Sequence, residues 1–335
     1  MKPSFEQTQE KYLPIVEKRL EEFFSRAVAN GIGWNAEMSR YHFSTGGKRL
    51  RALIPCLVYE AYGRNPLDAV DLGCALELVH NATLVHDDLQ DGDTVRRGKP
   101  TVWKKYSQAQ AINCGDAMFQ FAFQILCEIK LDPAVFRQIA TRITRGTLQV
   151  IEGQAQEFLM KDEQYPRIDR YLEVVRGKTA ALMAASVVCS LEVLGQSQDL
   201  CARTEKAALD TGILFQIQDD VLDIYGEKAR DRHATDIAEG KISALIALFN
   251  DAANPKDRAR VAEILKTPRE KTSSEQIAEV LQLFEKYEVK NAALQRIHTI
   301  QNSLQSDPVL SQHPEIHGLL VAMNQIFLKP IGHLL

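Results

Sequence analysis

Residues 67–91 read LDAVDLGCALELVHNATLVHDDLQD. From Leu67 to Leu89 the apolar side chains keep helical spacing and leave little polar surface, the pattern of an internal helix. The segment closes on Asp87-Asp88-Leu89-Gln90-Asp91, which follows the apolar run Ala82-Thr83-Leu84-Val85 after His86. At 3.6 residues per turn, positions i, i+1 and i+4 lie at 0°, 100° and 40°, so the three carboxylates share one side within about a turn. Like charges there repel each other, and a helix C-terminus disfavours anions, so the arrangement costs stability unless cations neutralise it. A second helix, Cys201–Ile224, carries the same pattern: Asp219-Asp220-Val221-Leu222-Asp223 follows Ile213-Leu214-Phe215. One such triple reads equally well as a solvated acidic helix end. Two of them, about 130 residues apart and each emerging from apolar surface, point to a metal site. Oxygen ligands without clustered His or Cys select Mg²⁺, which bridges carboxylates and substrate phosphates.

Outward from these segments the chain reads as helix after helix. Helical spacing covers Phe5–Phe24, Leu53–Tyr62, Ala109–Ile129, Pro133–Phe158, Ile168–Leu194, Ser243–Phe249, Arg258–Leu265, Ser274–Tyr287 and Val289–Leu304. Gly63-Arg64-Asn65-Pro66 and Leu131-Asp132-Pro133 are explicit stops, and Thr272-Ser273-Ser274-Glu275 has capping-box spacing from Thr272 to Glu275. No Gly/Ser-rich linker and no sequence repeat divides the chain. The expectation is therefore an all-α fold, a single large helical bundle over residues 1–335.

Composition narrows the function classes. The 335 residues are 45% hydrophobic and 25% charged, an ordinary globular balance. Forty basic against forty-four acidic side chains leave a net charge of -4, which argues against nonspecific binding to nucleic acid. The six cysteines lack CxxC spacing and read as small buried hydrophobes in a reducing compartment, so the expected location is cytoplasmic. The longest apolar run, Thr179–Leu191, is too short to span a bilayer, and no stable membrane insertion is expected.

Basic groups accompany the acidic ones. In Gly46-Gly47-Lys48-Arg49-Leu50-Arg51 the glycines let a phosphate approach the backbone, the following helix offers free N–H groups, and Lys48 and Arg51 add charge. Alone this reads more readily as a flexible turn with solvated charges. Arg96-Arg97-Gly98 follows the first acidic motif within a few residues, where a metal-bound diphosphate needs neutralising. His80 lies seven residues before Asp87, about 20° from it on a helical wheel. Gln216 falls near the second acidic face by the same arithmetic, and Lys178-Thr179 interrupts an otherwise apolar helix.

Together these motifs resemble the trans-isoprenyl (polyprenyl) diphosphate synthases, the family of farnesyl and geranylgeranyl diphosphate synthases. The matching residues run in the family's order: GGKRLR at 46–51, His80, the DDxxD at 87–91, Arg96-Arg97-Gly98-Lys99-Pro100-Thr101, Gly115-Asp116, Gly153-Gln154, Lys178-Thr179, FQIQDDVLD at 215–223, Asp236 and Gly240-Lys241. The resemblance implies a helical bundle around a central cavity and a homodimer. It implies that Asp87 and Asp91 bind two Mg²⁺ and Asp219 a third, with Asp88, Asp220 and Asp223 completing the catalytic motifs. Arg96, Lys178 and Lys241 would hold the allylic diphosphate. Lys48, Arg51, His80 and Arg97 would hold isopentenyl diphosphate, and Thr179 and Gln216 would face the reacting carbons. Three positions depart from the pattern: Arg232 stands for a lysine, Glu157 for an aspartate, and Ile242-Ser243-Ala244 follows Lys241. Val79, Ala82 and Thr83 occupy the places where bulk limits product length. All three are small, so the expected product is geranylgeranyl diphosphate, ahead of longer chains and of farnesyl diphosphate. Phe119 and Phe123 are candidate floors on the next helix, or plain core. A class I terpene cyclase, a head-to-head synthase and a non-catalytic subunit of a heteromeric synthase are the competing readings. An intact pair of DDxxD motifs with GGKRLR disfavours each of them.

Overall fold

A computed structural model describes residues 5–226 and 234–335. Its helices are α1 (Phe5–Ala29), α2 (Gly33–Ser44), α3 (Leu50–Ala61), α4 (Val70–Gln90), α5 (Val102–Lys105), α6 (Gln108–Glu128), α7 (Pro133–Asp162), α8 (Ile168–Val175), α9 (Ala181–Val193), α10 (Gln198–Tyr225), α11 (Thr235–Ala238), α12 (Ala244–Ala252), α13 (Pro255–Leu265), α14 (Ser274–Lys286), α15 (Val289–Gln305) and α16 (Pro314–Leu328). Among the described residues the strands are two-residue pieces, β1 (Val95–Arg96) and β2 (Lys99–Pro100). The all-α expectation holds.

Two compact units share the chain: one holds residues up to Val150 with Leu182–Glu205, the other Ile151–Ala181 with Lys206–Leu335. In the first, α4 is buried on most sides, with Leu72, Cys74, Ala75, Leu76, Leu78 and Val85 almost wholly enclosed. Phe23 and Phe24 each meet Phe121 edge to face beside it, and Phe43 packs tilted on Phe24. In the second, Phe249 of α12 packs on Phe284 and Tyr287, and Phe215 of α10 on Phe327 of α16.

Some local expectations change. The α14 capping box is Ser273 with Gln276, one residue later than the Thr272–Glu275 spacing suggests. Cys127 is exposed, whereas the other five cysteines are buried free thiols. The apolar stretch belongs to a continuous helix, Ile168–Val193, long and apolar enough to cross a membrane by length and composition; 78% of that window is buried inside the protein. Helix α2 lacks a readable apolar stripe because its buried face uses Ala36, Ser39 and His42 besides Met38 and Phe43. Helix α16 also lies outside the expected helices, although Pro314 at its start and Ile316, Leu320, Met323 and Phe327 keep helical spacing.

His42 is 1% exposed and meets Asn81 Oδ1 through Nε2 at 3.1 Å. Burial, with Arg96 and Arg97 nearby, pushes its pKa down from 6.5 to about 3. The unfolded chain therefore protonates His42 first as the pH falls. Its contribution to stability is complete above pH 6.5 and is lost as the pH drops towards 3, on the order of a few kcal/mol. Melting temperatures between pH 7.5 and 4 should fall less steeply in His42→Gln than in the wild type, even though the variant starts lower.

Candidate active site

In the first unit, Asp87 and Asp88 lie in the last turn of α4, and Asp91 is its C-cap. Their side chains part company. Asp88 is 1% exposed and receives Arg96 Nε and Nη2 on the same oxygen, at 2.7 and 2.5 Å. The Trp103 indole N–H holds the Asp88 carbonyl at 2.9 Å. Burial raises the Asp88 pKa while Arg96 opposes the rise. Asp87 is half-buried and Asp91 exposed. The helical-wheel picture of three carboxylates sharing one side is corrected: the middle one turns inward to an arginine. His80, Leu84, Asp87 and Asp91 instead make a partly accessible stripe along α4, at i, i+4, i+7 and i+11.

Arg96 and Arg97 sit on the β1–β2 hairpin, with Val95 opposite Pro100 and Arg96 opposite Lys99. The two corner residues, Arg97 (φ 53°) and Gly98 (φ 77°), both take positive φ, as a two-residue type I′ turn requires. This aims the Arg97 guanidinium at the Gly46 carbonyl, to which Nη1 donates. Gly47 takes φ 131°, a conformation that side chains rarely adopt, and a Cβ there would also stand 2.5 Å from that nitrogen and push the guanidinium aside. Lys48 remains exposed, and Arg51 Nη1 lies 3.1 Å from His80 Nε2. Arginine only donates, so His80 Nε2 accepts and its proton resides on Nδ1. Burial and the charges of Arg51, Arg97 and Arg96 hold the His80 pKa well below its usual value. Lys48, Arg51, His80 and Arg97 therefore belong to one neighbourhood. Val79 and Ala82 are enclosed in the unit's core, and Thr83, 7% exposed, donates its hydroxyl to the His80 carbonyl at 2.7 Å. Phe119 packs by His86, whereas Phe123 is exposed.

The second unit also turns its middle carboxylate inward, and buries the last one with it. Asp220, 2% exposed, accepts the Tyr171 hydroxyl at 2.6 Å, the Ala244 N–H at 2.7 Å and the Gln216 amide at 2.9 Å. Asp223 is also buried and accepts the Thr235 hydroxyl and, at 3.0 Å, the Asp236 N–H. Asp219 is half-buried. A cavity of about 70 Å³ gathers Lys178, Thr179, Gln216, Asp220, Lys241 and Glu157. Lys178 Nζ is 2.5 Å from Glu157 Oε2, and Lys241 Nζ 3.2 Å from Asp236 Oδ1. Burial pushes Asp236 up to about 7 against the pull of Lys241. Thr179 donates its hydroxyl to Gln216 Oε1 at 3.0 Å, which fixes the amide to donate to Asp220. The unusual segment after Lys241 starts α12: Ser243 is its N-cap, and the Ala244 N–H serves Asp220. Arg232 lies outside the described residues.

Lys178 and Thr179 occupy a π-helical turn, Arg176–Ala180, between α8 and α9. Its neighbours are glycines. A Cβ on Gly153 of α7 would lie 2.3 Å from the Lys178 nitrogen, and one on Gly212 of α10 would lie 2.6 Å from the Ala180 Cα. π-turns gather at functional sites because the wide turn re-aims side chains. The sequence shows the polar interruption but not the turn. Tyr171 is likewise invisible as a partner of Asp220, since nothing local connects them.

The donor set fits a hard divalent cation that arrives with a diphosphate. Among the described residues no three His, Cys, Asp or Glu side chains converge to cage a metal. Mg²⁺ needs no such cage, because it commonly takes one or two carboxylates and completes its shell with phosphate oxygens and water.

Residues 33–284 match the family model of the polyprenyl synthetases. The chain belongs to that family. It is 31% identical over 279 residues to the short chain isoprenyl diphosphate synthase of Methanothermobacter thermautotrophicus, covering 83% of each chain. The geranylgeranyl pyrophosphate synthase of Geoglobus acetivorans is 32% identical over 233 residues, 69% of this chain and 72% of that one. The crystal structure of geranylgeranyl pyrophosphate synthetase from Pyrococcus horikoshii superposes with a TM-score of 0.85 at 27% identity, covering 97% of this chain and 98% of that one.

Within this polyprenyl synthetase the π-turn should tolerate no added bulk beneath it. Gly153→Ala forces backbone apart, which costs about 1–3 kcal/mol. Thermal melting should show a loss of several degrees, and steady-state turnover should fall at least ~10-fold as Lys178 and Thr179 are displaced.

Proposed function

We propose that this prenyltransferase condenses isopentenyl diphosphate with an allylic diphosphate to give an all-trans product, geranylgeranyl diphosphate. One observation carries the reading: each DDxxD turns its middle carboxylate inward, Asp88 to Arg96 and Asp220 to Tyr171, Gln216 and the Ala244 N–H, while Asp87 and Asp219 stay half-buried and Asp91 exposed, where a cation and its substrate would reach them. Residues 1–335 would work as one domain.

Asp87 and Asp91 would hold two Mg²⁺ and Asp219 a third. Bound with the diphosphate, such ions supply the charge neutralisation that makes it a leaving group. Lys178 and Lys241 add fixed positive charge to the same group, and Arg96, tied to Asp88, offers its remaining N–H groups. Ionisation leaves an allylic cation; the Thr179 hydroxyl oxygen and the Gln216 amide oxygen present negative dipole ends that can stabilise it. Lys48, Arg51 and Arg97 hold isopentenyl diphosphate, with neutral His80 positioned by Arg51. The double bond of isopentenyl diphosphate attacks the cation, and the released diphosphate takes the proton that is lost, so no side-chain base is required.

Two further elements of the proposal rest on features away from the acidic motifs. Ile112 and Phe123 of α6 are 11 residues apart and share a face; Leu148, Ile151 and Leu159 of α7 do the same, and all five are exposed. These strips support a homodimer. Five buried free thiols suit a reducing, cytoplasmic location.

Incubating the purified chain with isopentenyl diphosphate, allylic primers and Mg²⁺ tests the reading, with products identified by mass spectrometry. Activity should vanish in excess chelator. Asp87→Ala and Asp219→Ala should each lower turnover by on the order of 10²-fold or more. Near-normal rates in both variants would show that these aspartates are ordinary surface.

Product length is tested separately. The wild type should make geranylgeranyl diphosphate, and Thr83→Phe should shift the product towards farnesyl diphosphate, because added bulk beside an already packed wall is not easily relieved. Longer products from the wild type, or an unchanged distribution in the variant, would remove Thr83 from the length determinants.

A further inference from the structure

A buried polar chain runs beneath the proposed isopentenyl diphosphate site without reaching it. Glu77 of α4 is 3% exposed. Its Oε2 accepts the Ala52 N–H at 3.2 Å, and its Oε1 accepts the Asn81 amide at 2.9 Å and lies 4.0 Å from Arg49 Nη1. Asn81 continues to His42. Arg49 is itself 3% exposed, stands over the Phe43 ring at 4.6 Å and takes a left-handed backbone (φ 48°).

Two details show what this arrangement does. Helix α3 has Arg49 at its N-cap and no local side-chain cap, and the Ala52 N–H in its first turn is shared between the Arg49 carbonyl at 3.1 Å and Glu77. Glu77 supplies from α4 the carboxylate that a local cap would otherwise provide, at the end of the helix that favours negative charge. The approach is possible because Gly73, one turn earlier, has no side chain: a Cβ there would stand 2.3 Å from the Ala52 carbonyl oxygen. The arrangement is also costly. Among the described residues Arg49 Nε and Nη1 have no hydrogen-bond partner. A buried ion pair is a weak source of stability compared with apolar packing of the same volume.

We infer that Glu77 is a positioning residue for isopentenyl diphosphate. It fixes the first turn of α3, and with it Lys48 and Arg51 on either side of Arg49. Through Asn81 it also fixes the α4 backbone beside His80. One buried carboxylate thus sets the spacing of three groups that it does not touch. This inference rests on the reading of residues 46–51 as the isopentenyl diphosphate loop.

The test compares substrate kinetics and melting in three variants of the full chain. Glu77→Gln leaves Arg49 without its counter-charge and should raise the KM for isopentenyl diphosphate about 10-fold, with the KM for the allylic diphosphate changed less than about 2-fold. The double variant Arg49→Met/Glu77→Met removes both buried charges. It should melt close to the wild type yet keep the raised isopentenyl KM, which a purely structural role would not do. A native isopentenyl KM in the double variant, or equal increases for both substrates in Glu77→Gln, overturns the proposal. Lys48→Ala separates the two levels: it should raise the isopentenyl KM at unchanged melting temperature. No increase there refutes the loop assignment and this inference with it, whereas an increase in Lys48→Ala without one in Glu77→Gln refutes the inference alone.

Discussion

The constraint on which the site depends is the inward anchoring of the middle carboxylate in each acidic motif. Three aspartates at the end of a helix are unfavourable by charge repulsion and by the helix dipole. The protein meets this by burying Asp88 against Arg96 and Asp220 against Tyr171, Gln216 and the Ala244 N–H. Once buried, each anchors its helix end to a neighbouring element: the β1–β2 hairpin in one unit, α8 and the start of α12 in the other. The flanking carboxylates are then held at a fixed bearing. A removed partner would strand a buried carboxylate, which is far more costly than an exposed pair is worth.

Much of this was legible in the sequence, for physical reasons that differ by residue. Helices such as α4, α7 and α10 announce themselves because an apolar pattern sustained over five or more turns leaves little ambiguity. The two DDxxD motifs stand out because their cost demands an explanation. The shared face of His80 and Asp87 follows from helix geometry alone. Asp88 and Asp220 are different: nothing in a local pattern tells which carboxylate of a triple turns inward, because the deciding partners are Arg96 from a hairpin and Tyr171 from a distant helix. Helix α2 was hidden because small and polar side chains, Ala36, Ser39 and His42, make up much of its buried face. The α14 cap moved by one residue because Thr272-Ser273-Ser274 offers three hydroxyls in a row, and spacing alone does not choose among them.

Glycine has a specific meaning at two places in this chain. In the 46–51 loop, Gly47 takes a positive φ that side chains rarely adopt and leaves the space that the Arg97 guanidinium fills. At Gly153 and Gly212 the missing side chains let two helices close on the π-turn from α7 and α10. In both cases the sequence shows a glycine but not the reason for it, which lies in the other element.

The π-turn also bears on how such a chain can change over generations. A π-turn is formally an α-helix with one residue too many, and deleting a residue between Arg176 and Ala180 would restore regular hydrogen bonding from Ile168 to Val193. The repaired helix would be intrinsically sounder. It would also turn everything on one side of the deletion by 100° relative to the other, taking the Lys178–Thr179 pair out of register with Gln216 and Glu157. Length in this segment is therefore under a stricter rule than residue identity. Substitutions can accumulate around the turn, whereas a single-codon deletion that looks harmless by helix propensity would uncouple the lysine from its site in one step.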